Sequence, residues 1–306
     1  MKKELVEENY NISIDAMVKI TSKTYKIFTS DETFLLKMHD DEYIENIFVR
    51  LNMLQIDVFH LPILTVNGNY ILYDEDKRYA LYHYYDDETI LNKDIRLHFY
   101  IKSLAELHSQ SVFPVNVNDG YFTDKLDFLQ KQIDDKENEL KLRIKRIERE
   151  EYHTPEDWYF YNNYQHFNLA LNQAKKYLDQ LDEAYKTSTD LHLSLVYQNF
   201  DYRHILVKAQ KILSLDKMAF GSPVNDLLFL FSDDISYKID ATVFLKEYFA
   251  IYQMTTYELY ELLTLMFIPI KTNTIGIKED INDTSKALRF LNRVEKMAKF
   301  ISSTIS

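Results

Sequence analysis

The nine histidines of the chain are the first residues whose type could support metal or acid–base chemistry. Their spacing is irregular, and no HExxH pattern places two imidazoles on one helix face. We therefore interpret most of them as surface or satisfied core residues rather than zinc ligands. The chain has no cysteine, which excludes disulfides, thiolate metal sites and cysteine nucleophiles.

Phosphate sites built on glycine-rich loops have little support. Only four glycines are present, and neither GxGxxG nor GxxxxGK followed by Ser or Thr occurs. P-loop and Rossmann folds are therefore not predicted. A GxSxG elbow is also missing from the sequence, which argues against an α/β-hydrolase.

Composition sets limits on partners and location. The formal net charge is −12 over 306 residues, and so acidic a chain repels nucleic acids and anionic membranes. The densest basic run, 141–149, is followed by and interleaved with glutamates, which is typical of a solvated helix face. No signal peptide is apparent, and no run approaches the roughly 20 apolar residues of a membrane span. We expect a cytoplasmic protein with an unknown protein partner or small molecule, and with neither nucleic acid nor membrane as partner.

The first 85 residues are predicted to hold three strands, a helix and then two or three more strands. Short runs with β character are separated by polar turns, and Asn67-Gly68 is a strong hairpin signal. Apolar residues recur on one face of the helix. The predicted strands span 16–21, 24–29, 33–39, 62–66, 70–74 and 78–85, and the helix spans 42–54.

From residue 94 onward the pattern is mainly helical. Residues 123–151 carry apolar positions every seven residues, and Thr154-Pro155 supplies a cap and first-turn proline for a second helix that reaches about residue 185. We predict that the two pack as an antiparallel hairpin, a structural insertion rather than an arm that binds a partner. Two strands are predicted over 194–207 and 211–215, as a short hairpin that turns at Ala209-Gln210. Further helices are predicted at 94–109, 226–231, 240–253, 255–267 and 284–302.

This order of elements resembles the bilobal protein kinase-like fold of the aminoglycoside phosphotransferase and choline kinase group. Within that group the chain looks most like the spore-coat kinase-like proteins of the CotS and YutH type. The resemblance covers nearly the whole chain and implies an α+β fold, with a small antiparallel β lobe containing one helix and a larger helical lobe with an inserted helical hairpin. The implied lobes are 1–85 and 86–306, the inserted hairpin is 123–185, and the hairpin that looks like a catalytic loop is 194–216.

Two short segments carry the first part of the resemblance. Phe34-Leu35-Leu36-Lys37 looks like the family's third strand with its phosphate-binding lysine, which can act as a point charge. The family pairs this lysine with a glutamate of the next helix, and spacing favours Glu45 over Glu42. Leu104-Ala105-Glu106-Leu107-His108 is similar to the family's LAxLH helix end, where His108 is expected to be structural.

The catalytic-loop segment LVYQNFDYRHILV, residues 195–207, lines up with the family's LVHGDxxxxNILV. The family's catalytic aspartate falls on Asn199 and its metal-binding asparagine falls on His204. A neutral amide cannot accept a hydroxyl proton at pH 7, and an imidazole is a poor ligand for Mg²⁺. Asp201 is a candidate substitute base. The apolar frame is kept while the chemical residues are replaced.

The next segment, ILSLD followed by GSPVNDL, looks like the family's IDFD…GPPxxDL. Counting back from Asp226 puts the family's metal-binding aspartate on Ser214, whereas counting forward from His204 puts it near Asp216. Both alternatives stay open, and one metal site could survive if the ligand is Asp216. Asp226 is expected to be structural.

The phosphate-covering turn that the resemblance implies, residues 21–25, contains no glycine, which hinders close backbone approach to phosphates. The hydroxyls of Ser22 and Thr24, or Lys23, could still contact a phosphate. We therefore expect ATP and Mg²⁺ to bind weakly or not at all.

Three hypotheses follow. The first is a pseudokinase that acts as a binding or scaffolding protein. The second is an active ATP-dependent small-molecule kinase that uses Lys37 for phosphates, Asp216 for Mg²⁺ and Asp201 as base. The third is a structural protein of an assembly such as a spore coat, located there rather than in the cytoplasm.

Overall fold

The computed structural model describes residues 2–86, 92–117, 119–188, 190–231, 239–268 and 281–305. Contacts divide the chain into two compact units, the first being Met1–Ser111 with Leu195–Phe220 and the second Val112–Ser194 with Gly221–Ser306. The first holds an antiparallel sheet and the second is mostly helical, which confirms the predicted α+β class. The predicted domain boundary at residue 85 follows the order of elements rather than their contacts, and it stays a prediction.

Five strands of the first unit form an antiparallel sheet in the order β1-β2-β3-β5-β4. β3 lies at the centre, where Phe34 and Leu36 are buried on alternate positions, as expected for apolar side chains on the core face of a strand. A separate two-stranded hairpin, β8-β9, belongs to the same unit, and β6 pairs with β7 in the second unit. The strands are β1 Ala16–Lys19, β2 Thr24–Phe28, β3 Thr33–His39, β4 Leu72–Asp74, β5 Lys77–His83, β6 Phe113–Val115, β7 Leu191–Val196, β8 Ile205–Leu206, β9 Lys211–Ile212 and β10 Ala219–Gly221.

Most of the predicted helices are present, and one more was missed. The missed helix, α1, has only a few apolar residues, yet Val6 and Tyr10 are buried in the same core cluster as Leu36 and Leu81 of the sheet. The helices are α1 Lys3–Tyr10, α2 Ile44–Met53, α3 Lys93–Ser111, α4 Asp119–Arg149, α5 Pro155–Thr187, α6 Val224–Leu227, α7 Ala241–Phe249, α8 Thr256–Met266 and α9 Ile281–Ile305. In the described ranges no helix is both long and apolar enough to cross a membrane.

The Asn67-Gly68 turn is confirmed, but the strand predicted before it is wrong. The Gly68 amide donates to the Thr65 carbonyl at 2.9 Å, and Gly68 has a positive φ of 80°. Residues 62–66 form no strand and contribute only an isolated bridge from Ile63 to Leu81. The Asn67-Gly68 sequence therefore determines where the chain reverses. Residues 62–66 make too few backbone hydrogen bonds to form a strand.

The helical hairpin is confirmed in the second unit. Thr154 caps α5 through a reciprocal pair of hydrogen bonds with Asp157. Buried Arg143 of α4 forms an ion pair with Glu156 of α5 at 2.9 Å, and Lys175 reaches back to Glu137 at 2.7 Å. This order of contacts requires the two helices to run antiparallel.

Candidate functional site

Lys37 and Asp216 form an ion pair in the first unit. Lys37 lies on β3, opposite Thr24 of β2, and Asp216 follows the β8-β9 hairpin. Both side chains are about one-third exposed, at 28% and 32%. The fold therefore brings together the candidate phosphate-binding lysine and one of the two residues that the sequence left open as the metal ligand.

His39 completes this cluster, and sequence reasoning missed it. Its Nδ1 lies 3.0 Å from Asp216 Oδ1, and its Nε2 lies 3.0 Å from the hydroxyl of Tyr82. Burial alone would raise the pKa of Asp216, but the His39 hydrogen bond and the Lys37 charge outweigh it and hold that pKa well below its usual range. Asp216 is therefore a carboxylate at neutral pH. The burial of Tyr82, and the charge of nearby Asp216, raise the pKa of the Tyr82 hydroxyl. Because side chains alternate along a strand, His39 lies on the same face of β3 as Lys37. That two-residue spacing is the sequence signal that could have identified His39.

Glu45 does not pair with Lys37 in the described part of the chain. Its Oε1 instead accepts the backbone amides of Tyr70 at 2.9 Å and Ile71 at 3.3 Å. A carboxylate that satisfies two backbone donors is fixed by them. Glu45 thus anchors the segment before β4, and Lys37 forms its ion pair with Asp216 instead.

The turn between β1 and β2 has a defined hydrogen-bonding pattern without glycine. The Ile20 and Thr21 amides donate to the Thr24 carbonyl at 2.9 and 3.2 Å, and Lys23 forms an ion pair with Asp40. Ser22 is exposed at this turn. The position of Thr24 opposite Lys37 places one predicted phosphate contact next to another, and their roles stay predictions.

Asn199, at the position of the family's catalytic aspartate, is used as a hydrogen-bond donor. Its Nδ2 donates to the carbonyl oxygen of Ser214 at 2.8 Å. Ser214 has a positive φ of 60°, an uncommon conformation for a residue with a side chain. The amide therefore ties the loop to the backbone of the hairpin, which a carboxylate without a proton could not do.

Asp201, the candidate substitute base, is held by its own turn. It caps the 3₁₀ turn Tyr202–His204 by accepting the Arg203 amide at 2.8 Å, and the Arg203 guanidinium binds both of its carboxylate oxygens. The Arg203 hydrogen bonds lower the pKa of Asp201 to about 2. A carboxylate of such low pKa is a weak proton acceptor. This capped turn also shows that the continuous strand predicted over 194–207 was wrong.

His204 is half-buried, and its Nδ1 is bonded within the loop. Its Nδ1 is 3.1 Å from the Asn199 carbonyl and 3.3 Å from the hydroxyl of buried Tyr197. Burial lowers the pKa of His204, so the ring is neutral at pH 7. The Tyr197 hydroxyl also donates to the Leu213 carbonyl at 2.5 Å. The His204 ring therefore binds within its own loop, and Tyr197 joins that loop to the Leu213 backbone.

These residues do not fit the Mg²⁺ site that the resemblance implies. Mg²⁺ requires near-octahedral oxygen ligands. Asp216 offers one carboxylate, and the second position holds the imidazole of His204. Over the described ranges, no three histidine or acidic side chains group closely enough to hold a metal ion. Weak or absent Mg²⁺ binding therefore stays a prediction.

A separate groove of about 850 Å³ lies in the second unit between α5 and α9. Aromatic and amide side chains line it, including Tyr177, Phe267, Asn163 and Gln173. None of the candidate site residues contributes to it.

Solved structures with a similar fold were found, although no protein-family model and no curated protein matches the chain. An aminoglycoside phosphotransferase from Alicyclobacillus acidocaldarius aligns with a TM-score of 0.71 over 100% of this chain and 96% of its own, at 9% identity. The chain has the aminoglycoside phosphotransferase fold. Spectinomycin phosphotransferase APH(9)-Ia, in its AMP complex, aligns with a TM-score of 0.52 over 97% and 96% of the two chains, at 13% identity.

This kinase-like fold has an antiparallel β lobe and a larger helical lobe, and it confirms the fold that the sequence predicted. Identities this low establish the fold alone. The roles of individual residues therefore depend on the site geometry, and the finer likeness to spore-coat proteins stays a prediction.

Proposed function

We propose that this protein is a pseudokinase, a phosphotransferase-fold protein that acts by binding or scaffolding and does not transfer phosphate. The observation that carries the proposal is the hydrogen bond from Asn199 to the Ser214 carbonyl. In this contact the residue at the family's catalytic position acts as a hydrogen-bond donor, which supports a structural role there. Asp201, the available substitute, is bound by Arg203 and is a poor base.

The alternative is an active small-molecule kinase with rearranged ligands. The contact between Lys37 and Asp216 favours it, since a lysine and an acid of the expected kinds do meet. It requires Asp201 to leave Arg203 and accept a proton. The pseudokinase proposal requires no such rearrangement.

The test is phosphate transfer from ATP to a broad panel of hydroxyl-bearing acceptors, with Mg²⁺ present. We expect wild type and Asp216→Ala to give the same background. Transfer by wild type that disappears in Asp216→Ala, while that variant remains folded by circular dichroism, would establish the active kinase instead.

We also propose a role in a larger assembly, of which the spore coat of the CotS and YutH type is one candidate and the cytoplasm the alternative location. The observation in its favour is the apolar surface at the end of the helical hairpin. Tyr152 is 83% exposed and Trp158 is 53% exposed, and the ring of exposed Tyr161 lies 6.4 Å from that of Trp158. Large apolar side chains grouped on a surface are typical of contact sites.

The assembly role predicts that Trp158→Glu with Tyr152→Glu releases the protein from its complex without unfolding it. Leu169→Glu, an exposed change elsewhere on α5, is the control. Unchanged localisation of the double variant in the source cells would remove the main support for an assembly role.

A further inference from the structure

Both carboxylate oxygens of Asp216 are occupied by side chains of β3. Lys37 Nζ binds Oδ2, and His39 Nδ1 lies 3.0 Å from Oδ1. An ionised carboxylate can only accept hydrogen bonds, so Nδ1 of His39 carries the proton that it donates. Its Nε2 shares a hydrogen bond with the Tyr82 hydroxyl, 3.0 Å away.

His39 has little freedom to move away from Asp216. Its side chain is only 2% exposed, and its backbone is part of the central strand, in register with Arg78 of β5. Its ring packs edge-on against Phe48, with centroids 5.8 Å apart. Releasing Asp216 would leave a buried imidazole without one of its partners, which is costly.

A divalent metal would meet two obstacles at this carboxylate. It would have to share Oδ1 with the His39 donor, or approach Oδ2 beside the Lys37 ammonium, whose positive charge repels it. Mg²⁺ also gives up its water ligands reluctantly, and a single carboxylate compensates for little of that loss of hydration.

We propose that His39 is a positioning residue that holds Asp216 on Lys37 and so closes this carboxylate to the Mg²⁺ of a metal–nucleotide complex. The inference rests on the proposed function, because it adds a second cause for the loss of phosphotransfer. It assigns to the site a closed state that the replaced catalytic residues alone would not produce.

Two matched substitutions separate the two hydrogen bonds of His39. In His39→Asn the amide nitrogen takes the place of Nδ1 and keeps the donor to Asp216. In His39→Gln the amide reaches the place of Nε2, which keeps a partner for Tyr82 and frees Oδ1. His83→Leu removes an exposed histidine of β5 that contacts Glu32 instead, and it serves as a further control.

ADP binding is then measured by calorimetry in Mg²⁺ and in EDTA. We expect Mg²⁺ to change the ADP affinity of wild type, His39→Asn and His83→Leu by less than about threefold, and to strengthen that of His39→Gln by about tenfold or more. His39→Leu provides the same release of Oδ1 if His39→Gln does not fold.

The inference is overturned if Mg²⁺ already strengthens ADP binding to wild type by the larger factor. It is equally overturned if the folded variants that free Oδ1 gain no dependence on Mg²⁺. Either result leaves the pseudokinase proposal standing, since that proposal fails only if wild type transfers phosphate.

Discussion

Replacing Asn199 by aspartate, the residue type at this position of the family motif, should destabilise the protein at neutral pH. The Asn199 amide donates to the Ser214 carbonyl at 2.8 Å, whereas an ionised carboxylate would face that oxygen without a proton. An unsatisfied buried polar group costs about 1–3 kcal/mol. Because Asn199 is half-buried, we expect Asn199→Asp to lower the free energy of unfolding by about 1–2 kcal/mol, which is about 5–30-fold in the folded-to-unfolded ratio.

The loss from Asn199→Asp should depend on pH. The protonated carboxyl can donate to Ser214, so its pKa should be higher in the folded state than the roughly 3.9 of an ordinary aspartate. A raised folded pKa contributes stability that is present below about pH 4 and is lost as the pH rises through the folded pKa. The defect should therefore shrink in acid relative to neutral pH.

Urea unfolding of wild type and Asn199→Asp at neutral and acidic pH measures both effects. Asn172→Asp makes the same chemical change at an exposed position in the middle of α5, and it is the control. If Asn199→Asp is as stable as Asn172→Asp at neutral pH, the Asn199 amide is not a structural donor. The proposal that position 199 has lost its catalytic role would then have no support from this contact.

Three further predictions concern single contacts. Arg143→Ala leaves buried Glu156 without its cationic partner, with the Thr284 hydroxyl still donating to it, and should cost about 3–5 kcal/mol in urea unfolding. Arg143→Met with Glu156→Leu should recover most of that loss, and equal losses in the two variants would contradict this. Arg203 lowers the pKa of Asp201 to about 2, so the pair should add stability above about pH 4 that is lost as the pH falls towards 2; an NMR titration of wild type and Arg203→Leu should show that pKa return upward, and an unchanged value would exclude Arg203 as the cause. Gly68→Ala should lower the free energy of unfolding by about 1 kcal/mol, because alanine disfavours the positive φ of 80° at this position. The cost is conformational, since no atom lies within 4 Å of the added Cβ. An unchanged melting temperature would show that the turn relaxes.

Local patterns were sufficient where a residue's role depends on its own neighbours in sequence. β3 was predicted with its observed bounds, and α5 was predicted from its cap, Thr154, and the proline that follows. α1 was missed because its few apolar residues form a core only with the sheet, and that contact has no counterpart in local periodicity. The strand predicted over 194–207 failed because Asp201 caps a 3₁₀ turn within it.

Lys37 and Asp216 of the candidate site were predicted, but His39 and the contacts among these residues were not. The family resemblance pointed to Lys37 and left Ser214 or Asp216 open as the metal ligand, and the fold brings Asp216 to Lys37 from 179 residues away. The sequence favoured Glu45 as the partner of the lysine, yet Glu45 is committed to the Tyr70 and Ile71 amides. Partners of a charged side chain depend on three-dimensional contacts that spacing along one strand or helix does not encode.

The central claim, that the scaffold is kept while the chemistry is lost, is tested most directly by a single-turnover experiment. Protein in excess is mixed with ATP labelled on its terminal phosphate, with Mg²⁺ and pooled hydroxyl-bearing acceptors, and the fate of the label is followed. The absence of a competent base at positions 199 and 201 predicts no transfer above a protein-free control. Transfer at about 1–100 s⁻¹, the range of ordinary kinases, would contradict the claim.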